Sequence, residues 1–255
     1  MIGVTQLHDV VFCLSSSAII RFDARTHERL TDITVKDLSM LWDIVACKQT
    51  SVVYVTDCPY TGDACVWRVS SDGEDMQRWL PKSPSETFKP ETLSVTSSQL
   101  LVTSPDTKQL RQFDALGDEL RQVDLPRDME PHHAVESPAR TFIVSHLDSQ
   151  WKHGQVSEVN TGGQVLRQFS GSRLLPLRVT PHVAVDSQGN IFVADDANRR
   201  ILLLNSELAL RRVIIDEHQL NYKQPWRMCY TEQSGQLLVG FYDSGDVAVF
   251  DVLHR

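Results

Sequence analysis

Apolar residues along this chain come in short runs, cut at close intervals by Gly, Asn, Asp and Ser. Val10–Leu14, Val52–Val55, Leu100–Val102, Ile191–Ala194 and Leu237–Val239 are of this kind. Runs of this length, rich in Val, Ile, Leu and Phe and bounded by turn residues, predict β-strands. Turn residues stand where hairpins need them, at Ser71-Asp72-Gly73, Thr161-Gly162-Gly163, Gln188-Gly189-Asn190 and Ser244-Gly245-Asp246. No stretch carries the 3.6-residue period of an amphipathic helix.

The pattern repeats. Pro131-His132-His133-Ala134-Val135-Glu136 and the residues to Phe142 align without a gap on Pro181-His182-Val183-Ala184-Val185-Asp186 and the residues to Phe192, fifty residues on. Weaker copies begin at Leu41, Pro90 and Pro225, with a first one near Ile2. A period between about 20 and 50 residues is the mark of a solenoid, propeller or array.

Each unit reads as four strands. In the fifth these are Val183–Asp186, Ile191–Ala194, Ile201–Leu204 and Leu208–Ile215. The predicted fold class is therefore all-β: a single domain over 1–255, folded as a six-bladed β-propeller of four-stranded antiparallel blades. The blades run over about 1–38, 39–87, 88–129, 130–178, 179–224 and 225–255. Outer strands are expected at Glu119–Leu125 in the third blade and Gln164–Phe169 in the fourth. The sixth offers none, because only Leu253-His254-Arg255 follow its third strand and Met1 already opens the first blade. A three-stranded last blade is expected, with Val247–Val252 as an open edge where a partner adds a strand.

Charge and composition narrow the functional classes. The net charge is −8, with 18 Arg against 7 Lys, which argues against nucleic acid as the default partner. Arg199-Arg200 and Arg211-Arg212 are expected as solvated strand edges. The longest apolar run, Val10–Leu14, is far short of the ~20 residues a spanning helix needs, so no membrane partner is expected. The N-terminus lacks a secretory pattern, and a cytoplasmic location is expected. Five scattered cysteines match no zinc or redox spacing, and Cys58 and Cys65, flanking one loop, are either paired or free.

Candidate chemistry falls at one end of the ring. The innermost strand of each blade lines the channel, and the residue after the phrase-opening position belongs at its mouth. That position holds Trp42, Glu91, His132, His182 and Trp226. Loops opening on the same face add Tyr60, Asp106, Trp151, His153 and Tyr242. Exposed aromatic side chains at a rim are the chemistry of a protein-binding surface, although Trp42 and Trp226 equally suit a plug in the channel. Glu91, His132 and His182, on three consecutive blades, form a competent zinc set. His146 with Asp148 is a further base-and-orienter pair, on an expected loop.

The fifth unit carries a family resemblance. Pro181-His182-Val183-Ala184-Val185-Asp186-Ser187-Gln188-Gly189-Asn190-Ile191-Phe192-Val193-Ala194-Asp195, continuing into Asn198-Arg199-Arg200-Ile201, resembles a full NHL repeat. Tyr54-Val55-Thr56-Asp57 is similar to the YWTD repeat. The NHL resemblance implies a propeller that binds proteins or, in some members, RNA through a basic face. Pro131-His132 and Pro181-His182 also resemble the phrases by which peptidyl-hydroxyglycine lyase propellers hold catalytic zinc. A third such His is missing here, since Trp42, Glu91 and Trp226 stand in its place. The leading expectation is a non-enzymatic protein- or peptide-binding module without a cofactor. The alternatives are a zinc-dependent lyase or hydrolase using Glu91, His132 and His182, and an RNA-binding propeller.

Overall fold

A computed structural model describes residues 3–15, 18–34, 40–59, 63–80, 88–96, 99–148, 153–171, 176–178, 181–242, 244 and 246–252. Six antiparallel sheets follow one another along the chain. Blade 1 is β1 (Val4–Leu7), β2 (Val10–Leu14), β3 (Ala18–Asp23) and β4 (Ile33–Thr34). Blade 2 is β5 (Leu41–Cys47), β6 (Val52–Asp57), β7 (Cys65–Ser70) and β8 (Met76–Leu80). Blade 3 is β9 (Thr92–Thr96), β10 (Gln99–Ser104), β11 (Gln109–Phe113) and β12 (Glu119–Asp124). Blade 4 is β13 (Glu130–Glu136), β14 (Phe142–Leu147), β15 (Gly154–Val159) and β16 (Val165–Phe169). Blade 5 is β17 (His182–Val185), β18 (Ile191–Asp195), β19 (Arg200–Leu204) and β20 (Leu210–Ile215). Blade 6 is three-stranded: β21 (Pro225–Thr231), β22 (Gln236–Phe241) and β23 (Val247–Asp251). The six blades, the outer strands and the short last blade stand where the hydrophobic pattern predicts them.

Each innermost strand packs on the next, and β21 packs on β1, so the ring is closed. An apolar cluster fills each seam. Phe12, Leu14, Ile19, Val53 and Val55 lie between blades 1 and 2, and Phe192, Ile201, Leu237 and Val239 between blades 5 and 6. The seam that closes the ring, between blades 6 and 1, is the thinnest, with Val4, Val11, Cys13 and Leu238 as its buried members. Among the described residues no strand pairs with the outer edge of β23, and residues Val4–Leu7 pair with β2 instead.

Polar side chains stitch neighbouring inner strands together at the channel. Thr56 Oγ1 donates to the Glu91 carbonyl at 2.9 Å and Thr92 Oγ1 to the His132 carbonyl at 2.7 Å. The Asp43 carboxylate accepts the Leu93 amide at 2.8 Å. In blade 5 a buried bracket forms: Asp195 is paired with Arg200 at 2.6 Å and accepts from Asn198 Nδ2 at 2.8 Å. Arg200 is thus buried against a carboxylate, which corrects its reading as a solvated strand edge. Gly189, at φ 81°, supplies the left-handed residue of the hairpin turn, as its sequence predicts.

Candidate functional site

The channel mouth is built by a backbone irregularity. In blades 2, 4 and 6 the innermost strand carries a bulge that removes Trp42, His132 and Trp226 from the ladder. A bulge re-aims the side chain of its extra residue and is favoured next to functional sites. Glu91 stands just before β9, its amide bonded to the Thr103 carbonyl, and completes the mouth ring in blade 3. The Trp42 and Trp226 rings meet edge to face at 6.4 Å, and Tyr242 packs on Trp226 at 5.0 Å. Trp42, Glu91, His132 and Trp226 are half-buried and Tyr242 is exposed. Tyr60 and Trp151 lie outside the described residues.

His182 does not belong to this ring. His133 pairs with Ser145, and His182 with Ala194, so the structural step between blades 4 and 5 is 49 residues rather than 50. Arg140 and Gly189, both at positive φ, confirm the same step in the turns. The gapless alignment is one residue out of register. Pro181 occupies the place of His132, and His182 that of His133. The expected convergence of Glu91, His132 and His182 is corrected accordingly: among the described residues the three groups whose ligand atoms lie within 4.8 Å of one another are Asp43, His133 and His182.

These three form the channel layer beneath the mouth, together with Arg227, and all four are buried. Arg227 Nε lies 3.3 Å from Asp43 Oδ1, and its guanidinium sits 5.0 Å from the Trp226 ring centre. Asp43 also accepts the Ile44 amide at 3.0 Å. Burial pushes the Asp43 carboxyl up, against the opposing pull of Arg227. The His133 and His182 rings stack at 3.8 Å, 24° from parallel. His133 Nε2 donates to the Leu93 carbonyl at 3.2 Å, which leaves Nδ1 without a hydrogen. His182 Nδ1 accepts the Met228 amide at 3.3 Å, which places its hydrogen on Nε2. Burial, helped by Arg227, holds His133 down to about 3 and His182 well below the usual imidazole range, so both are neutral.

A zinc ion binds imidazole at about 2.0–2.1 Å along the ring-plane lone pair. Rings stacked this closely to parallel do not aim their lone pairs at one point. One His182 nitrogen is engaged by Met228, the other carries its hydrogen, and the Arg227 charge lies alongside. As arranged, the layer is a braced plug. Below it a cavity of about 160 Å³ continues down the channel, lined by inner-strand residues of all six blades, among them Thr5, Ile44, Leu93, Val135, Val183 and Met228.

Electrostatics distinguish the mouth from the plug. Burial pushes Glu91 up to about 7, with Arg227 opposing and Asp106, Asp43 and Glu130 adding to the rise. Burial likewise raises Asp196, on the turn after β18, to about 6. His132 is held down to about 4 by burial and by Arg227. Several buried polar atoms here have no hydrogen-bond partner: Nε1 of Trp42 and of Trp226, Nε2 of His132 and Oδ1 of Asp196. In the plug, His133 Nδ1 and Arg227 Nε are in the same state.

Asp43, His133, Arg227 and Asp196 are the site residues that sequence reasoning missed. The signal was alternation. One step past each mouth position stands a polar residue, Asp43, Thr92, His133 or Arg227, in a strand otherwise rich in apolar residues. One minor expectation is also corrected. His146 lies buried in β14, donating through Nδ1 to the Leu147 carbonyl at 3.0 Å and bonding Ser157 Oγ through Nε2 at 2.8 Å. Cys58 and Cys65 are free thiols, and Cys58 donates to the Pro90 carbonyl at 3.3 Å.

No family model matches the chain, and no curated protein matches it by sequence. Solved structures match its fold. A catalytically inactive virginiamycin B lyase from Staphylococcus aureus, solved with quinupristin, is 13% identical over 97% of this chain and 78% of its own, with a TM-score of 0.67. A streptogramin B lyase is 9% identical over 100% and 83%, with a TM-score of 0.63. A chain of the nidogen/laminin complex is 15% identical over 86% and 81%, with a TM-score of 0.64. At these identities the likeness shows the six-bladed propeller alone. Among the described residues no helix is long and apolar enough to cross a membrane.

Proposed function

We propose that this chain is an NHL-like, non-enzymatic binding propeller that takes a protein or peptide at its channel mouth. One observation carries the reading. Four of the buried polar atoms without partners lie at the mouth, on Trp42, His132, Asp196 and Trp226, which come from four different blades. A buried donor or acceptor left unmade costs about 1–3 kcal/mol, and a folded protein retains such atoms where they serve something. Two Trp and a Tyr at one end of the channel also match the aromatic composition of interface hot spots. The outer edge of β23 offers a second docking place of a different kind, where an extended segment adds a fourth strand.

A metal-dependent lyase is the second reading, and Asp43, His133 and His182 are the residues that favour it. The stacked rings and the adjacent Arg227 weigh against it. Elemental analysis of the purified protein decides: stoichiometric zinc, lost in His133→Gln, supports the lyase and contradicts the braced plug. The acidic net charge weighs against RNA as the partner.

The binding reading is tested by selecting phage-displayed peptides on the protein, with counter-selection on Trp42→Ala/Trp226→Ala. Enrichment of peptides that bind the wild type and not the double variant supports it. Peptides indifferent to the double substitution, or none enriched at all, contradict it.

A further inference from the structure

We infer that the group the mouth recognises is cationic, a lysine or arginine side chain of the bound segment. The inference rests on the peptide-binding reading above and adds the charge of what is bound.

The argument is an account of charges. Around the channel, Asp43 faces Arg227 at 3.3 Å, Asp106 is held by Lys89 at 2.9 Å, and Asp195 by Arg200 at 2.6 Å. Three carboxyls remain without an ion pair among the described residues, Glu91, Glu130 and Asp196. Arg227, already shared with Asp43, is the positive charge that acts on Glu91, while Asp106, Asp43 and Glu130 act against it. Lys108 offsets Glu130 in part. Asp196 sits beside Asp195, feels Arg227 at a distance, and is buried with Oδ1 unpartnered. His132, held neutral, adds no positive charge.

A desolvated carboxyl without a counter-charge raises the free energy of the empty mouth, and an incoming cation lowers it. The aromatic side chains suit the same ligand, since indole faces attract cations and Trp is the strongest of them. The two indole N–H groups without acceptors are donors only and lie buried in the empty mouth, so they suit carbonyl oxygens that reach them as the rings turn. A basic residue within a peptide supplies both kinds of group, a charged tip for Glu91 or Asp196 and main-chain carbonyls for Trp42 and Trp226. Nucleic acid supplies carbonyl acceptors but no such cation.

The test uses capped amino acids, the N-acetyl N-methylamides of Lys, Arg, Gln and Glu, titrated into the intact protein while the indole N–H resonances of Trp42 and Trp226 are followed. The Lys or Arg compound is expected to move both resonances, with at least tenfold tighter binding than the Gln or Glu compound. Glu91→Gln/Asp196→Asn is expected to lose at least tenfold of that binding. A bound cation favours the ionised carboxyls, so affinity rises from pH 5.5 to pH 8, through the values of Asp196 and Glu91, and then levels off. Equal or tighter binding of the Gln or Glu compound at the same resonances overturns the charge assignment and leaves the peptide-binding reading standing. Unchanged binding by the double variant, affinity that falls with rising pH, or no shift with any of the four also overturns it. Failure of the peptide selection, by contrast, removes the underlying reading.

Discussion

The seams between blades and the channel they surround are built to opposite rules. Each seam is apolar and closed, as where Phe142, Val144, Leu101 and Val123 fill the space between blades 3 and 4. The channel and its mouth are crowded with ionisable and aromatic groups, and several of their buried polar atoms are unpaired. The seams use most of the Val, Ile, Leu and Phe of the repeat to hold the ring. Along the axis that ring keeps polar groups at a density no isolated blade would tolerate. Stability therefore belongs to the seams and the proposed recognition to the axis, and substitutions are expected to separate the two.

The largest stability loss should come from a seam. Phe142→Ala removes a fully buried ring between blades 3 and 4 and should cost about 3–5 kcal/mol in urea unfolding, while the mouth residues of a molecule still folded are unchanged. Asp195→Ala should cost nearly as much, about 3 kcal/mol, because it leaves Arg200 buried without its counter-charge. A neutral outcome there would mean that the Asp195–Arg200 bracket of blade 5 does little for the fold.

At the mouth the sign reverses with pH. The Glu91 carboxyl is raised in the folded protein, so its protonated form is favoured there, and the stability this gives is present at low pH. It is lost as pH climbs from about 4.5 through about 7. Glu91→Gln should therefore stabilise the protein by about 1–2 kcal/mol more at pH 8 than at pH 5, measured by denaturant titration at both values. An equal effect at the two values would place Glu91 in water. The smallest effect is expected for Trp226→Phe, which removes an unpartnered N–H and part of a ring. Its unfolding free energy should stay within about 1 kcal/mol of the wild type. A loss as large as that of Phe142→Ala would make Trp226 a structural plug.

The seams were legible in the sequence and the axis only in part. Runs such as Ile191–Ala194 and Leu237–Val239 pack on both faces, so their composition alone marks them as inner strands. The positions of Trp42, Glu91, His132 and Trp226 at one end followed from the repeat. His182 did not, because the copies share Pro-His, Ala-Val and Phe at a spacing of 50 while the backbone repeats at 49. The true match sets Ser137-Pro138-Ala139-Arg140-Thr141 against Asp186-Ser187-Gln188-Gly189-Asn190. It is hidden because Arg140 takes the left-handed turn position that Gly189 takes in blade 5, and because His132 is bulged out of its strand. Bulges leave no composition signal, and a one-residue slip moves every side chain by one place. Asp43 and Arg227 were missed for a related reason: their pairing joins blades 2 and 6, and no local pattern reports a contact across a ring.

The most direct test of the division between seam and axis is the affinity of one mouth-selected peptide for the wild type and for Trp42→Ala/Trp226→Ala, with folding of both checked by near-ultraviolet circular dichroism and thermal unfolding. The account predicts a loss of at least about thirtyfold in affinity, the size expected when an aromatic hot spot is truncated, from a double variant that still folds. A folded double variant that binds the peptide as tightly as the wild type would contradict it.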